Sequence, residues 1–405
     1  MLEEDLEHLS SATRAEVVVV GAGPAGSATA ALLARRGRQV VLLDRARFPR
    51  SKPCAEYASP GAATLLDRLG VRVRTGRRLH GMQLIAPNGG QFLIEYRPPG
   101  LGPPALALSI QRTELDASLL DLARAGGVEV REQHRVDDLL IEGGAVRGVI
   151  GRDGAGRPMR VSARLVVGAD GLHSTVVRAL GLRRGTLWPR RLGLVAHVGK
   201  VPWPEDVGQM WVGARSYVGL APVADGLLTV GLVTALPRRR LGPAIGAFWA
   251  AVAEFPRLQA RLAGAEVVDG VHGVGPLAHA VRATAGPGFL LVGDAAGFSD
   301  PFTGEGIYRA LRGAELAAEA AHQALDGCPE AFPGYERARQ RAFGSKQRLT
   351  ALIQVFVRAP GLMNYAVGRL QHRPRLGQRL GRVLGDLEPA DAAIRRDYLW
   401  ALLRP

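Results

Sequence analysis

The sequence predicts a mixed α/β fold: a parallel-sheet domain with an antiparallel sheet inserted into it, followed by a helical C-terminal region. Three observations carry this. Residues 17–20 are four valines that end in a glycine-rich turn and lead into an Ala/Leu-rich helical stretch. Two more apolar runs end in Gly/Asp turns far downstream, at Gly168-Ala169-Asp170-Gly171 and at Gly293-Asp294. Between them, over residues 192–235, apolar and alternating runs are punctuated by Gly and Pro, the pattern of an antiparallel sheet.

In chain order, residues 17–20 form a strand buried on both faces, and a helix over residues 24–36 is stopped by Gly37 as its C-cap. Residues 39–43 give a second buried strand, ending at Asp44. Residues 79–96 read as a hairpin turning at Asn88-Gly89. A helix spans residues 111–126, with Thr113 and Asp116 spaced as a capping box. Strands follow at residues 128–130, 138–142, 146–151, 164–168 and 289–292, then a long helix over 305–325. Beyond Pro333 the pattern is helical, broken at Pro360 and Pro374.

Composition narrows the function classes. Only 22% of the 405 residues are charged and 47% are apolar, so the chain is globular rather than disordered. The stretch 17–34 lacks charge, but its glycines divide it into strand, turn and helix, which excludes a membrane span. Met1 to Glu7 are acidic and lack the apolar segment of a signal peptide. Two cysteines, Cys54 and Cys328, make no disulfide framework, which favours a reducing, cytoplasmic setting. The net charge is +15, and 49 of the 52 basic residues are Arg. Without a nucleic-acid motif and with few aromatics, that charge reads as codon preference or as peripheral contact with an anionic membrane, not as nucleic-acid binding. The tail from Tyr335 carries 14 basic and 5 acidic residues, interleaved with Phe356, Leu362, Tyr365, Trp400 and Leu402. It reads either as a membrane-associated face or as a solvated cap over the inserted sheet.

The first turn, Gly21-Ala22-Gly23-Pro24-Ala25-Gly26, fits the dinucleotide cradle of a Rossmann-like domain in its proper strand–turn–helix context. Gly21 permits the tight turn, Gly23 the approach of a diphosphate, and Gly26 close packing of helix on strand. The helix opening at Pro24 and Ala25 then offers free N–H groups and its positive end to the phosphates. Asp44, 18 residues beyond Gly26 and followed by Arg45, stands where an acid accepts a ribose hydroxyl.

Taken with Ser174 and Arg178, and with Asp300-Pro301 and Thr303-Gly304-Glu305-Gly306-Ile307, the three turns resemble the para-hydroxybenzoate hydroxylase flavoprotein superfamily, and within it the geranylgeranyl reductase-like branch, over residues 16–325. The resemblance implies FAD as cofactor. Asp294 would hydrogen-bond the ribityl chain, Asp170 and Gly171 would brace the diphosphate region and help admit NAD(P)H, and Arg112 would reach the flavin or its phosphates. Gly304, Gly306 and Ile307 open a helix whose N–H groups would face the flavin ring and stabilise its reduced, anionic form. The implied FAD-binding domain comprises residues 15–75, 105–182 and 272–327. The substrate domain comprises 76–104 and 183–271, and the helical region 328–405.

Reductases of this branch carry Lys-x-Cys-Gly after the second strand, and this chain has Lys52-Pro53-Cys54-Ala55. The resemblance thus places Cys54 near the flavin. In their P-x-x-Y-x-W-x-F-P segment, Tyr217 and Pro222 match, while Ala214, Gly219 and Ala221 replace larger residues, which predicts a wider cavity. Cys54 and Tyr217 are the catalytic candidates, and Tyr57, Trp211 and Phe302 the substrate contacts. No metal site is expected. The resulting expectation is an FAD-dependent oxidoreductase reducing a C=C bond of a hydrophobic, isoprenoid-like substrate. The alternatives are an FAD monooxygenase acting on an aromatic or polyketide-like molecule and, less favoured, a halogenase, whose W-x-W-x-I-P segment is absent. No second nicotinamide-binding βαβ unit is visible, so electrons would come from transiently docked NAD(P)H or a partner reductase.

Overall fold

A computed structural model describes residues 13–96, 105–186, 190–203, 205–236 and 243–404. The acidic Met1 to Glu7 segment lies outside them. The helices are α1 (Pro24–Ala34), α2 (Pro60–Leu69), α3 (Arg112–Ala125), α4 (Thr175–Ala179), α5 (Ala244–Val252), α6 (Pro256–Arg261), α7 (Gly306–Leu325), α8 (Ala331–Arg358), α9 (Pro360–His372), α10 (Pro374–Leu384), α11 (Asp391–Ile394) and α12 (Arg396–Leu403).

The strand Thr13–Val20 sits at the centre of a parallel sheet. Val17, Val18 and Val19 are fully buried because both of its faces are covered. Its neighbours are Val40–Leu43 on one side and Pro158–Gly168 on the other, with Phe289–Leu291 beyond the latter. Register is what matters for function. Val20 pairs with both Leu43 and Gly168, and Gly168 pairs with Leu291. The carboxyl ends of four strands therefore stop level, and the three glycine turns leave the sheet side by side. That edge is where ligands of open α/β sheets bind.

The second sheet runs Glu266–Val267, Arg191–Gly199, Leu228–Ala235, Tyr217–Pro222, Val207–Val212, Gly81–Ile85, Gln91–Glu95. It is antiparallel as expected except at one joint: Val207–Val212 runs parallel to Gly81–Ile85, where the early hairpin meets the later segment. One face packs on α5 and α6 through Val218, Leu220, Val230, Phe248 and Leu258. The opposite face, with Leu84, Ile94 and Tyr217, meets the C-terminal helices through Val357, Met363 and Val367.

Those helices are packed structure. α10 lies directly on Gln91–Glu95: a Cβ added at Gly381 would sit 2.3 Å from the Glu95 carbonyl oxygen, and one at Gly377 only 2.0 Å from the Phe92 ring. The capping box expected at Thr113 and Asp116 does not form. The N-cap of α3 is Gln111, and Asp116 turns inward to Arg112. The buried start of that helix is satisfied from elsewhere, by the Glu56 carboxylate, which accepts from the Arg112 N–H at 2.7 Å.

Candidate active site

Three turns meet at the carboxyl edge of the parallel sheet. A Cβ at Gly21, where φ is +99°, would collide with the Ala169 carbonyl oxygen at 2.6 Å. One at Gly26 would fall 1.8 Å from the Gly21 oxygen, and one at Gly293 would lie 2.8 Å from Ala25 Cβ. Only glycine allows this convergence. The N-cap of α1 is Gly23, which offers no side-chain acceptor, and the first turn carries no acid. No side chain caps its opening N–H groups, which leaves them for an anionic diphosphate. Ala22 is the exception, since its N–H donates to Asp44 Oδ2 at 2.7 Å. The other Asp44 oxygen accepts from Ala46 N–H at 2.8 Å, and Arg45 beside it is exposed.

The cleft is lined with cations. Arg50 lies 3.2 Å from Asp116 and 3.9 Å from Asp44, and a Cβ at Gly23 would be 3.7 Å from its guanidinium. Lys52 points at the second turn, 3.3 Å from where a Gly171 Cβ would stand. It makes no hydrogen bond or ion pair among the described residues. Enclosure and the neighbouring Arg112 push its pKa down, while Asp294 and Asp116 oppose that shift. Asp294 is half-buried, and its carboxylate takes no hydrogen bond among the described residues. An unpartnered ammonium, a free carboxylate and an uncapped helix start in one cleft fit a dinucleotide with a polyol linker.

Other expected residues are differently engaged. Asp170 accepts from Ser174 Oγ at 2.5 Å and Thr175 N–H at 2.6 Å, so its carboxylate caps α4 and only the turn at Gly171 faces the cleft. Burial raises its pKa in spite of those donors. Arg112 is buried, with its guanidinium clamped on Asp116 at 2.7 and 2.8 Å. Cys54 Sγ also accepts the Glu56 N–H at 3.3 Å. α7 opens at Gly306 and Ile307, uncapped by any side chain and without an acid in its first turn. His279, which carries no sequence signature, braces the third turn by donating Nε2–H to the Asp294 carbonyl at 2.6 Å, and burial lowers its pKa.

Beside this edge lies a cavity lined almost wholly by apolar side chains. Its near wall is Pro301 to Gly304 with Ala55 and Tyr57, and its floor is the second sheet at Met82, Met210, Gly219 and Ala221. Its far wall is built entirely by the C-terminal helices, from Leu349 and Phe356 to Tyr398 and Leu402. The cap read from the tail therefore also shapes the cavity. Tyr57 and Phe302 line the cavity as expected, and Gly219 and Ala221 widen it where larger side chains would project. Trp211 does not line it. Strand alternation turns it toward α5 and α6, where its indole donates to Gln209 at 2.9 Å. Tyr217 is on the cavity side of the sheet but buried under Phe302, its hydroxyl donating to Asp300 at 2.6 Å. Asp300 also accepts from Arg191 and Gln354, each at 2.9 Å. Tyr217 thus belongs to a buried structural hub rather than to the cavity wall.

Residues 14–341 match the FAD binding domain family. The chain is 34% identical over 324 residues to a menaquinone reductase of Mycolicibacterium smegmatis, covering 76% of each protein. It is 28% identical over 341 residues to digeranylgeranylglycerophospholipid reductase 1 of Methanococcoides burtonii, covering 82% of this chain and 81% of that one. Among solved structures, a flavin-dependent brominase superposes with a TM-score of 0.80 at 22% identity, covering 92% of this chain and 94% of the other. A geranylgeranyl bacteriochlorophyll reductase-like protein of Thermoplasma acidophilum superposes at 0.72 with 20% identity, covering 97% of both. At these identities the two structures establish the shared fold.

Proposed function

Because the chain belongs to the FAD-binding-domain family and is an FAD-dependent oxidoreductase, we propose that it saturates a C=C bond in a polyprenyl chain, such as that of a prenylated quinone or an isoprenoid lipid. The single observation that carries this is the apolar cavity, opened at Gly219 and Ala221, walled by the C-terminal helices and bordered by Pro301 to Gly304 just before α7. Its lining matches a branched hydrocarbon in polarity. The names of the two relatives, both reductases, point the same way.

Bound FAD supplies the two-electron chemistry. The chain's own residues do the rest. The start of α1, with Arg50 and Lys52, holds the diphosphate. Asp294 holds the ribityl chain, and the start of α7 offers N–H groups to the ring. Asp44, its carboxylate already on Ala22 and Ala46, accepts the adenosine ribose hydroxyl only by sharing those bonds. Pro301 and Phe302 keep water from the reacting carbons. Cys54, its sulfur held by the Glu56 N–H, sets the polarity beside the ring. Electrons come from NAD(P)H docking transiently or from a partner reductase.

The substrate class also calls for a membrane. Leu362, Tyr365, Trp400 and Leu403 are exposed on the outside of α9 and α12, whose inner sides line the cavity. Arg358, Arg396 and Arg404 are exposed around them. No helix of the described residues is long and apolar enough to cross a bilayer. A peripheral contact with anionic lipid would let a polyprenyl chain pass into the cavity without crossing water.

The test is anaerobic: reduce the flavin with NADPH or dithionite under nitrogen, add a polyprenyl quinone or lipid, and follow flavin reoxidation and the gain of two hydrogens by mass spectrometry. Reoxidation with a saturated product supports the reading. Product formation that requires O2 and incorporates its oxygen overturns it in favour of hydroxylation.

A further inference from the structure

Two tyrosine hydroxyls meet inside the apolar cavity. Tyr57 lays its ring beside the start of α7, since a Cβ at Gly304 would stand 3.2 Å from Tyr57 Cδ1. Its hydroxyl is hydrogen-bonded to that of Tyr96, which follows the second hairpin strand. Behind Tyr96 comes the turn after α10. A Cβ at Gly385 would be 2.9 Å from the Tyr96 ring, and the next residue, Asp386, pairs with Lys346 at 2.7 Å and accepts from Ser59 at 2.6 Å. Asp386 and Lys346 line a second, polar pocket. The tyrosine pair therefore lines the apolar cavity, with the ring of Tyr96 backed by the turn that leads to the polar pocket.

We propose that Tyr57 is the proton donor of the reduction, and that Tyr96 returns the proton to it. This rests on the C=C reductase reading above. Saturating a C=C bond needs a hydride on one carbon, supplied by the reduced flavin, and a proton on the other, supplied by the protein. The π electron pair left on the second carbon takes the Tyr57 proton, a C–H bond forming as the O–H bond breaks. The Tyr57 oxygen then takes the Tyr96 proton across their hydrogen bond, and Tyr96 recovers one from solvent when the product leaves. One hydride and one proton are consumed for each double bond.

The other hydroxyls nearby are less suited. Thr303 Oγ lines the cavity but has no hydrogen-bond partner through which to be reprotonated. The Tyr398 hydroxyl donates to the Leu376 carbonyl, and that of Tyr217 to Asp300. Burial holds Tyr57 and Tyr96 well above the ordinary phenol range, so both stay protonated at any working pH. When the phenolate forms, the partner hydroxyl donates to it and offsets part of the cost of a charge in an apolar wall.

The experiment uses FAD-loaded wild-type protein, Tyr57→Phe and Tyr96→Phe, each reduced under nitrogen and mixed with menaquinone carrying a geranylgeranyl chain. Titration of the quinone against the oxidised flavin spectrum should give the same binding constant for all three. Reoxidation should slow by about 100-fold or more in Tyr57→Phe and by roughly tenfold in Tyr96→Phe. In D2O, where the N–H of reduced flavin exchanges as well, the wild-type product should carry two solvent deuteriums per saturated double bond, each with a single stereochemistry, and Tyr57→Phe should scramble the one delivered as the proton. Wild-type reoxidation rate and stereochemistry in Tyr57→Phe overturn the assignment. So does a variant that only binds the quinone more weakly and reacts normally at saturation. If reduced wild-type protein is not reoxidised by any polyprenyl compound, the reductase reading has failed, a result seen before any variant is compared.

Discussion

Glu56 grips His197 across the junction of the two sheets, the ring Nε2 donating to Glu56 Oε2 at 2.8 Å. The other ring nitrogen lies 2.7 Å from Asp269. The same Glu56 carboxylate accepts from Thr229 Oγ at 2.8 Å and from the N–H that opens α3. Glu56 sits at a φ of +56°, between Cys54 and Tyr57. One buried acid thus fixes the loop that carries Cys54 and Tyr57 to the substrate sheet and to the FAD domain.

Stability should therefore depend on pH through His197. Burial opposes its charge, but Glu56 and then Asp269 outweigh it and push the pKa up to about 9. The folded value exceeds the ordinary one of about 6.5, so the stabilisation is complete below about pH 6.5 and is lost as pH rises through about 9. His197→Ala, which leaves Glu56 buried without its counter-charge, should cost about 3–5 kcal/mol at pH 6 and clearly less at pH 10. Urea unfolding of both proteins across that range measures this. A difference that does not change with pH would mean that the ring is neutral in the folded protein.

Gly26→Ala should give a protein that does not retain flavin. The added methyl would fall 1.8 Å from the Gly21 carbonyl, so α1 must move off the strand and take the diphosphate site with it. Visible absorbance of the purified protein, compared with its circular dichroism, separates loss of cofactor from loss of fold. A yellow Gly26→Ala protein would contradict the cradle geometry.

How much of this was legible in sequence follows from locality. The turns at Gly21, Gly168 and Gly293 each announce themselves within a few residues, because a tight turn at a strand end demands glycine. Their convergence follows from strand register, which buried valine and leucine runs enforce. Glu56 gives no such signal: its partner His197 is 141 residues away, and nothing near either marks the pair. Asp170 has the expected motif, but Ser174 and Thr175 at the start of α4 supply the donors to its carboxylate. The apolar periodicity of the tail shows that its helices have a buried side, but not that the covered surface is a cavity wall. Trp211 faces α5 and α6, because successive residues of a strand point to opposite faces and the sequence alone does not say which face the cavity takes.

Tyr217→Phe should cost about 1 kcal/mol of stability and leave the chemistry intact, because its hydroxyl serves Asp300 in the buried hub with Arg191 and Gln354. Denaturant midpoints together with flavin reoxidation rates decide it. A large loss of reoxidation rate with unchanged stability would restore Tyr217 as a catalytic residue.

Gly219→Trp should keep flavin and lose substrate. Gly219 lies on the cavity floor with Met210 3.5 Å from an added Cβ, and an indole there would fill the space that a polyprenyl chain needs. Substrate binding should weaken by roughly tenfold or more, equivalent to about 1.4 kcal/mol. Unchanged flavin content with a raised Kd for the quinone is the expected pair of results, and unchanged binding would place the chain elsewhere.

The outer faces of α9 and α12 allow the last prediction. Tyr365 donates its hydroxyl to the Leu403 carbonyl at 3.0 Å, which holds the two helices side by side, so Leu362, Tyr365, Trp400 and Leu403 form one exposed patch. Trp400 is 67% exposed, more than a tryptophan in a monomeric soluble surface ordinarily is. Anionic vesicles should bind the protein at low salt through the surrounding arginines, while the apolar residues resist release as salt rises and Debye screening weakens the charge contribution. Trp400→Ala with Leu403→Ala should leave low-salt binding measurable but abolish the salt-resistant fraction, as read by vesicle flotation. Flavin content and reduction by dithionite, which use none of these residues, should not change. Equal flotation of wild-type and doubly substituted protein at high salt would show that the patch does not enter the lipid interface.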